Sequence, residues 1–401
     1  MKILILDEEF PWPLNTGKRI RSLNLLRRLA PGHHLTYLAY GTRDSDGYQA
    51  LNDLGLHPLA VKRTPLPKTG PKLYFKLLGN LLSSQPYSVA SHFTSAFQQA
   101  VQGELASSSY DLVLCEWTPY AQFVRELSDV PRVVVAHNVE HQIWQRYVEN
   151  ETQLLVRWYL GLQARRMRAF EENVFSTVEG ATAVSATDAA TIKWMAPHLD
   201  VEVVDNGVDL EFFADDSEPV DSAAPTLVFT GSMDWRPNQD SVEYFVNDIL
   251  PLVQAEQPDV QTVFVGRNPP PKIADLGKLD GVTITGTVDD VRPYIREAAV
   301  YIVPLRIGGG SRLKILEALA MKKPVVSTGV GAEGLDITDG RELLLADTPQ
   351  QFARQINLLL SDRRQARKLG EAGRKLVEQR YGWDALAAKL EQFMTRLVAA
   401  K

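Results

Sequence analysis

The stretch Tyr301 to Ser327, YIVPLRIGGGSRLKILEALAMKKPVVS, has the composition of a phosphate site. Gly308, Gly309 and Gly310 let a backbone turn tightly and approach a ligand without Cβ clashes. Ser311 is a good helix N-cap, and Arg312 and Lys314 fall in the first turn that follows. Two cations at the positive end of a helix dipole repel it unless an anion joins them. Free N–H groups, dipole and cations together favour phosphate. Leu313, Leu316, Ala320 and Met321 read as the buried face of the helix, with Glu317 further along it. The plainer reading is a glycine-rich β–α corner of an ordinary α/β domain.

Two further residues stand where chemistry is done in such domains. The apolar run Asp111–Cys115 ends in Glu116-Trp117, and Arg132–Ala136 ends in His137-Asn138. In open parallel sheets ligands sit at the carboxyl ends of strands, so Glu116 and His137 are candidates for a cleft. Metal chemistry has little support. There is one cysteine, Cys115, and among seven histidines no HExxH.

The elements that would position these groups follow a βα rhythm. Lys2–Leu6 is a strand, a proline-containing loop leads to Gly17, and Lys18–Leu29 is a basic amphipathic helix. No GxGxxG follows the first strand, so the dinucleotide fingerprint is absent. Thr152–Phe175 reads as one long helix with Arg165, Arg166 and Arg168 outward, pairing with Glu171 and Glu172. Ala214–Ala224 is acidic and polar, as linkers are. After it the rhythm restarts, with strands near 227–230, 262–265, 282–285, 300–304 and 324–327 and a helix from about 238 through Leu250.

The length suits two domains, and 45% apolar and 23% charged residues are ordinary for globular proteins. A net charge of −6 argues against general nucleic-acid binding. No apolar run approaches a membrane span, and MKILILDEEF reads as a strand rather than a leader. These features point to a cytoplasmic location. No acid occurs between Asp53 and Glu104, where Lys62, Arg63, Lys68, Lys72 and Lys76 stand. Leu73–Leu82 is amphipathic and is expected to pack by its apolar side. The alternative is a face in the 62–82 segment for peripheral contact with the inner membrane surface or an anionic lipid-linked substrate.

The segments TGSMDWRPNQD, VFVGRNP, VTITGTVDDVRPYI, VPLRIGGGSRLKILEALAMKKPVVST, GAEGL and QRYGWD resemble family-4 glycosyltransferases, as do DEEFPWPLNTGKRIRSLNLLRRL, VVAHNVEHQIWQRY and VVDNGVD. The resemblance is strongest over 226–345 and weakest over 44–105. It implies the GT-B fold: α/β, with two Rossmann-like doubly wound domains facing across a cleft. The N-terminal acceptor-side domain would span 1–213 and be completed by a C-terminal helix, 384–401. A linker, 214–224, and a nucleotide-sugar domain, 225–383, would lie between.

The resemblance also implies roles. Glu317 matches the glutamate that binds both ribose hydroxyls, and a carboxylate suits a vicinal diol because both hydroxyls donate to it. The family's other glutamate falls at 309, where this chain has Gly309. Main-chain groups of Gly308, Gly309, Gly310, Ser311, Arg312 and Leu313 would hold the distal phosphate. Arg236 would clamp the diphosphate. The lysine expected six residues on is Val242, leaving Arg312 or Lys314 to substitute. Gly286, Thr287 and Val288 would read the base, Gly17 would approach the sugar phosphate, and His137 would stand near the acceptor. The implied reaction retains anomeric configuration and uses no metal or other cofactor. It transfers a sugar from a nucleoside-diphosphate sugar to a glycan, glycolipid or small-molecule acceptor. A mechanism through an enzyme nucleophile would have Glu116 as its nearest suspect. A sugar-nucleotide 2-epimerase and a non-catalytic sugar-nucleotide binder are the alternative readings.

Overall fold

A computed structural model describes residues 1–64, 70–149, 151–214, 224–307 and 313–401. The chain forms two compact units, Met1–Asp205 with Leu386–Lys401 and Asn206–Ala385. The residues expected to form the phosphate turn, Gly308, Gly309, Gly310, Ser311 and Arg312, lie outside the described residues, as does most of the linker.

Among the described residues the first unit carries a seven-stranded parallel sheet. Its strands are β1 (Lys2–Asp7), β2 (His34–Tyr40), β3 (His57–Val61), β4 (Leu112–Cys115), β5 (Arg132–Ala136), β6 (Gly180–Ala183) and β7 (Asp200–Val203). Their spatial order is β3-β2-β1-β4-β5-β6-β7. Chain order runs one way from β1 and the other way from β4, so those neighbours flank the topological switch point. β1 and β4 pair in parallel register, Ile3 with Leu112 through Leu6 with Cys115. Both strands are almost wholly apolar and buried, as a sheet covered on both faces requires.

The second unit repeats the plan. Its strands are β8 (Thr226–Thr230), β9 (Gln261–Val265), β10 (Val282–Ile284), β11 (Val300–Val303), β12 (Val325–Ser327) and β13 (Leu344–Leu345), ordered β10-β9-β8-β11-β12-β13. Its switch point lies between β8 and β11. One apolar cluster around Phe229, Phe245, Phe264 and Phe352 covers one face, and another around Val228, Tyr301, Leu316 and Leu319 covers the other.

Several expectations are revised. The division falls after Asp205 rather than after residue 213, because Val208 and Phe213 are buried with the second unit's core. The helix expected to run through Leu250 does so and reaches Gln254, but a π-turn over Phe245–Ile249 interrupts it between Arg236–Tyr244 and Leu250–Gln254. The long helix is Leu154–Phe175, and its arginines do not share one role. Arg168 pairs with Glu172 at 2.9 Å, but Arg166 turns inward and donates to the carbonyls of Asn80 and Leu81. Glu171 is fully buried and accepts from the main-chain N–H groups of Glu140 and His141, capping the helix Glu140–Glu149. The segment expected to pack by its apolar side forms the helix Pro71–Asn80, yet Tyr74, Phe75 and Leu78 point to solvent.

The helix Trp383–Ala399 ends the chain, and from Leu386 on it belongs to the first unit. Phe393 and Leu397 lie on the backbone of Gly180, where a Cβ would come within 2.4 Å of Leu397. Arg396 reinforces the contact through Asp200 at 3.0 Å.

Candidate functional site

Each unit holds a cluster of polar residues at the carboxyl ends of the strands beside its switch point. In the second unit β8 is followed by a loop from Gly231 and the helix Arg236–Tyr244. The neighbouring strand β11 leads, beyond the undescribed turn, to the helix Leu313–Ala320. Arg236 is the first residue of its helix. Its side chain is exposed and makes no hydrogen bond or ion pair with the described residues.

Lys314 reaches back from its helix to the loop after β8. Its ammonium donates to Asn238 Oδ1 at 2.9 Å and lies 4.0 Å from the centre of the Phe229 ring. Asn238 in turn donates to the carbonyl of Ser232 at 2.7 Å. A Cβ on Gly231 would stand 2.8 Å from the Lys314 ammonium, so a glycine there keeps room for the cation. Val242, where a loop lysine was missing, is fully buried in the apolar core. Lys314 thus brings a positive charge to the same loop from the neighbouring strand's helix.

Glu317 lies one turn beyond Lys314 and is half-buried. Burial pushes its carboxyl up to about 7, against the pull of Lys314. It makes no hydrogen bond to any described residue. Burying a carboxylate without donors is costly, so its oxygens are a strong place for a ligand's hydroxyl groups. Leu313, at the start of the same helix, is buried.

Gly286, Thr287 and Val288 follow β10, at the edge of the sheet. Gly286 has φ +73°, a left-handed conformation that glycine adopts at no steric cost. Its turn leaves Thr287 exposed and Val288 half-buried. The loops after β8 and β9 touch backbone to backbone. Gly231 N–H donates to the Val265 carbonyl at 2.9 Å, and a Cβ on Gly266 would collide with the Gly231 oxygen at 1.8 Å.

In the first unit, Gly17 opens the helix Gly17–Leu29 under a Thr16 cap that accepts from Arg19 N–H. Glu116 is buried after β4. It accepts from Ser22 Oγ at 2.5 Å and stands 3.5 Å from His137 Nε2. Burial alone would raise its pKa, but His137, Ser22 and Arg21 outweigh burial and hold it below the usual value. His137 Nε2 lies 2.8 Å from the Glu116 carbonyl oxygen. A carbonyl only accepts, so Nε2 carries the proton. Burial lowers the pKa of His137 despite Glu116, so the neutral ring leaves Nδ1 as an acceptor. Glu116 is therefore a support for His137 and Ser22, tied up as a hydrogen-bond acceptor.

The first unit also brings together residues not singled out in the sequence. Lys18 joins Asp7 Oδ1 at 2.5 Å and Glu8 Oε1 at 2.9 Å. Burial works against its charge, but the two carboxylates overcome this and hold it protonated. Tyr37 donates to the other Asp7 oxygen at 2.5 Å. His92 stands edge-on to Trp117, and burial pushes its pKa down to about 4. Glu8 Oε2 lies 4.0 Å from His92 Nε2, too far for a hydrogen bond. The signal for this group was the acidic run Asp7-Glu8-Glu9 at a strand's end, followed by a lysine at the next helix start. No sequence cue tied His92 to it. Among the described residues no group of three or more His, Cys, Asp or Glu is placed to hold a metal ion.

Comparison with known proteins agrees with this architecture. Residues 224–362 match the family model described as glycosyl transferases group 1. A GDP-mannose-dependent alpha-(1-6)-phosphatidylinositol monomannoside mannosyltransferase of Mycobacterium tuberculosis is 31% identical over 42% of this chain and 47% of its own length. Among solved structures, sucrose-phosphate synthase from Thermosynechococcus elongatus superposes with a TM-score of 0.74 at 18% identity, covering 100% of both chains. Anabaena HepE, solved with UDP and glucose, superposes with a TM-score of 0.69 at 14% identity, covering 98% of this chain and 99% of its own. The whole chain thus has the GT-B fold, and the match to the glycosyl transferases group 1 model falls on the second unit.

Proposed function

We propose that the chain is a retaining glycosyltransferase that moves a sugar from a nucleoside-diphosphate sugar to an acceptor hydroxyl in glycolipid or surface-polysaccharide synthesis. The observation that carries this reading is Glu317, a half-buried carboxylate with no hydrogen-bond partner among the described residues, beside the second unit's switch point. Such a group fits the two hydroxyls of a ribose. Arg236, exposed and without a partner among the described residues at the neighbouring helix start, and Lys314, reaching from its own helix to Asn238, fit the diphosphate. Arg312 and Gly308 to Ser311 enter this reading by residue type alone. The mycobacterial relative's name, which specifies GDP-mannose and a phosphatidylinositol mannoside, supports a nucleotide-sugar donor and a glycolipid acceptor.

The chemistry is front-face substitution. The bond between the anomeric carbon and the diphosphate oxygen breaks as negative charge grows on that oxygen. The acceptor hydroxyl bonds to the same face of the carbon and gives its proton to the departing diphosphate. Arg236, Lys314 and the main-chain N–H groups stabilise the leaving charge, which is the electrostatic contribution usually largest in such reactions. His137, neutral with Nδ1 as an acceptor, orients a hydroxyl. Glu116 holds His137 rather than attacking the sugar, and no metal takes part.

The test is a thermal-shift panel of UDP, GDP, ADP and their sugars, followed by transfer assays with the donor that stabilises most. Stabilisation by one nucleotide family, with a product of retained anomeric configuration, is expected. No stabilisation by any of them would overturn the reading.

A further inference from the structure

Apolar side chains left in water concentrate on two segments of the first unit. Tyr74, Phe75 and Leu78 on the helix Pro71–Asn80, Leu82 just after it, and Leu154, Leu155 and Trp158 at the start of the helix Leu154–Phe175 are each between 56% and 95% exposed. Scattered exposed leucines need no explanation, but this many in two short runs do. The runs share one support. From the long helix, Arg166 donates to the carbonyls of Asn80 at 2.9 Å and Leu81 at 3.0 Å, and Gln163 donates to Asn80 Oδ1 at 3.0 Å. These bonds satisfy carbonyls at the end of the shorter helix and fix it to the longer one. The exposed side of the shorter helix is therefore held in place by a polar underside rather than left over from loose packing.

Charge identifies the occupant. Between Asp53 and Glu104 the sequence has no acid, and Lys76 stands exposed among the aromatic and leucine side chains of the first segment. Arg157 is exposed in the second, with Glu149 and Glu151 preceding it. Aromatic rings and leucines interleaved with cations make a face that lies in the headgroup boundary of a bilayer. A second copy docking through the first run would bring Lys76 against a stretch that carries cations and no acid. No described helix is long and apolar enough to cross a membrane, so the contact is with the surface.

We propose that Tyr74, Phe75, Leu78 and Leu82, together with Leu154, Leu155 and Trp158, form a docking face that seats the first unit on an anionic lipid bilayer. The face stands on its own exposure and charge, independent of the donor site. The test is co-sedimentation of the full chain with phosphatidylcholine vesicles, with and without phosphatidylglycerol. The variants are Phe75→Ser/Leu78→Ser and Leu154→Ser/Leu155→Ser, which alter exposed positions. Binding to the anionic vesicles at low salt, weakened at high salt and reduced about tenfold or more by each double variant, is expected. Absence of binding to anionic vesicles, or equal binding by both variants, overturns the proposal. So does a wild-type dimer in solution that the same variants dissolve. The nucleotide-induced thermal shift of the variants is expected to match wild type, which separates failure here from failure of the donor-site reading.

Discussion

Glu317→Gln should do two opposite things. The carboxyl's pKa rises from 4.5 to about 7 because burial disfavours its charge. The folded state therefore holds the proton more tightly than the unfolded chain. Below pH 4.5 both states are protonated and the group is neutral in its effect. As pH climbs from 4.5 towards 7 the unfolded chain releases the proton first, and stability falls. Above about 7 the folded form ionises as well and the loss levels off. At about 1.4 kcal/mol per pH unit, the full loss is about 3 kcal/mol at its upper limit. Glutamine keeps the shape and discards the charge, so the variant should be more stable than wild type above pH 7 and equal to it near pH 4. Nucleotide affinity should move the other way. Two charge-assisted hydrogen bonds to ribose hydroxyls become weaker ones, a loss on the order of 10²-fold in affinity. The assay is a thermal melt at pH 4.5, 6 and 8, with and without the nucleoside diphosphate that stabilises wild type best. A variant no more stable than wild type at pH 8 would refute the burial argument. Undiminished nucleotide binding would refute the ribose assignment.

Arg236→Ala should lower kcat/KM by on the order of 10²-fold while leaving the melting temperature unchanged, since the side chain is exposed and has no partner among the described residues. Steady-state kinetics and a melt check both halves. Activity should persist in excess EDTA; loss restored by Mg²⁺ or Mn²⁺ would contradict the metal-free reading. Gly266→Ala should destabilise the second unit by about 1–3 kcal/mol, because the clash is with main-chain oxygen that cannot rotate away. Denaturant unfolding followed in the second unit measures it.

The parallel sheets were legible because their strands are buried on both faces. Runs such as ILIL, VLC and VVVA, each ending in polar residues, fix both the strand and its ligand-facing end. Glu317 and Arg236 were legible by family resemblance, and Glu116 and His137 by standing at strand ends. What was not legible depends on partners distant in sequence. Nothing local tells that Arg166 turns towards Asn80, 86 residues away, while Arg168 pairs within its own helix. Nothing local places His92 beside Trp117, or Glu171 under the helix start at Glu140. The helix Pro71–Asn80 shows the limit of periodicity: its amphipathic pattern gives a helix with an apolar side but does not say what that side meets.

The docking of the last helix onto Gly180 has a consequence for synthesis. The ribosome delivers β1 to β7 first, then the whole of the second unit, and only then Leu390, Phe393 and Leu397. Until those residues emerge, the Gly180 backbone and its apolar surroundings lack their cover. The first unit, although first out, cannot finish before the second has been made. A released chain truncated after Ala385 should therefore carry a protease-resistant second unit and a first unit that is still open to cleavage.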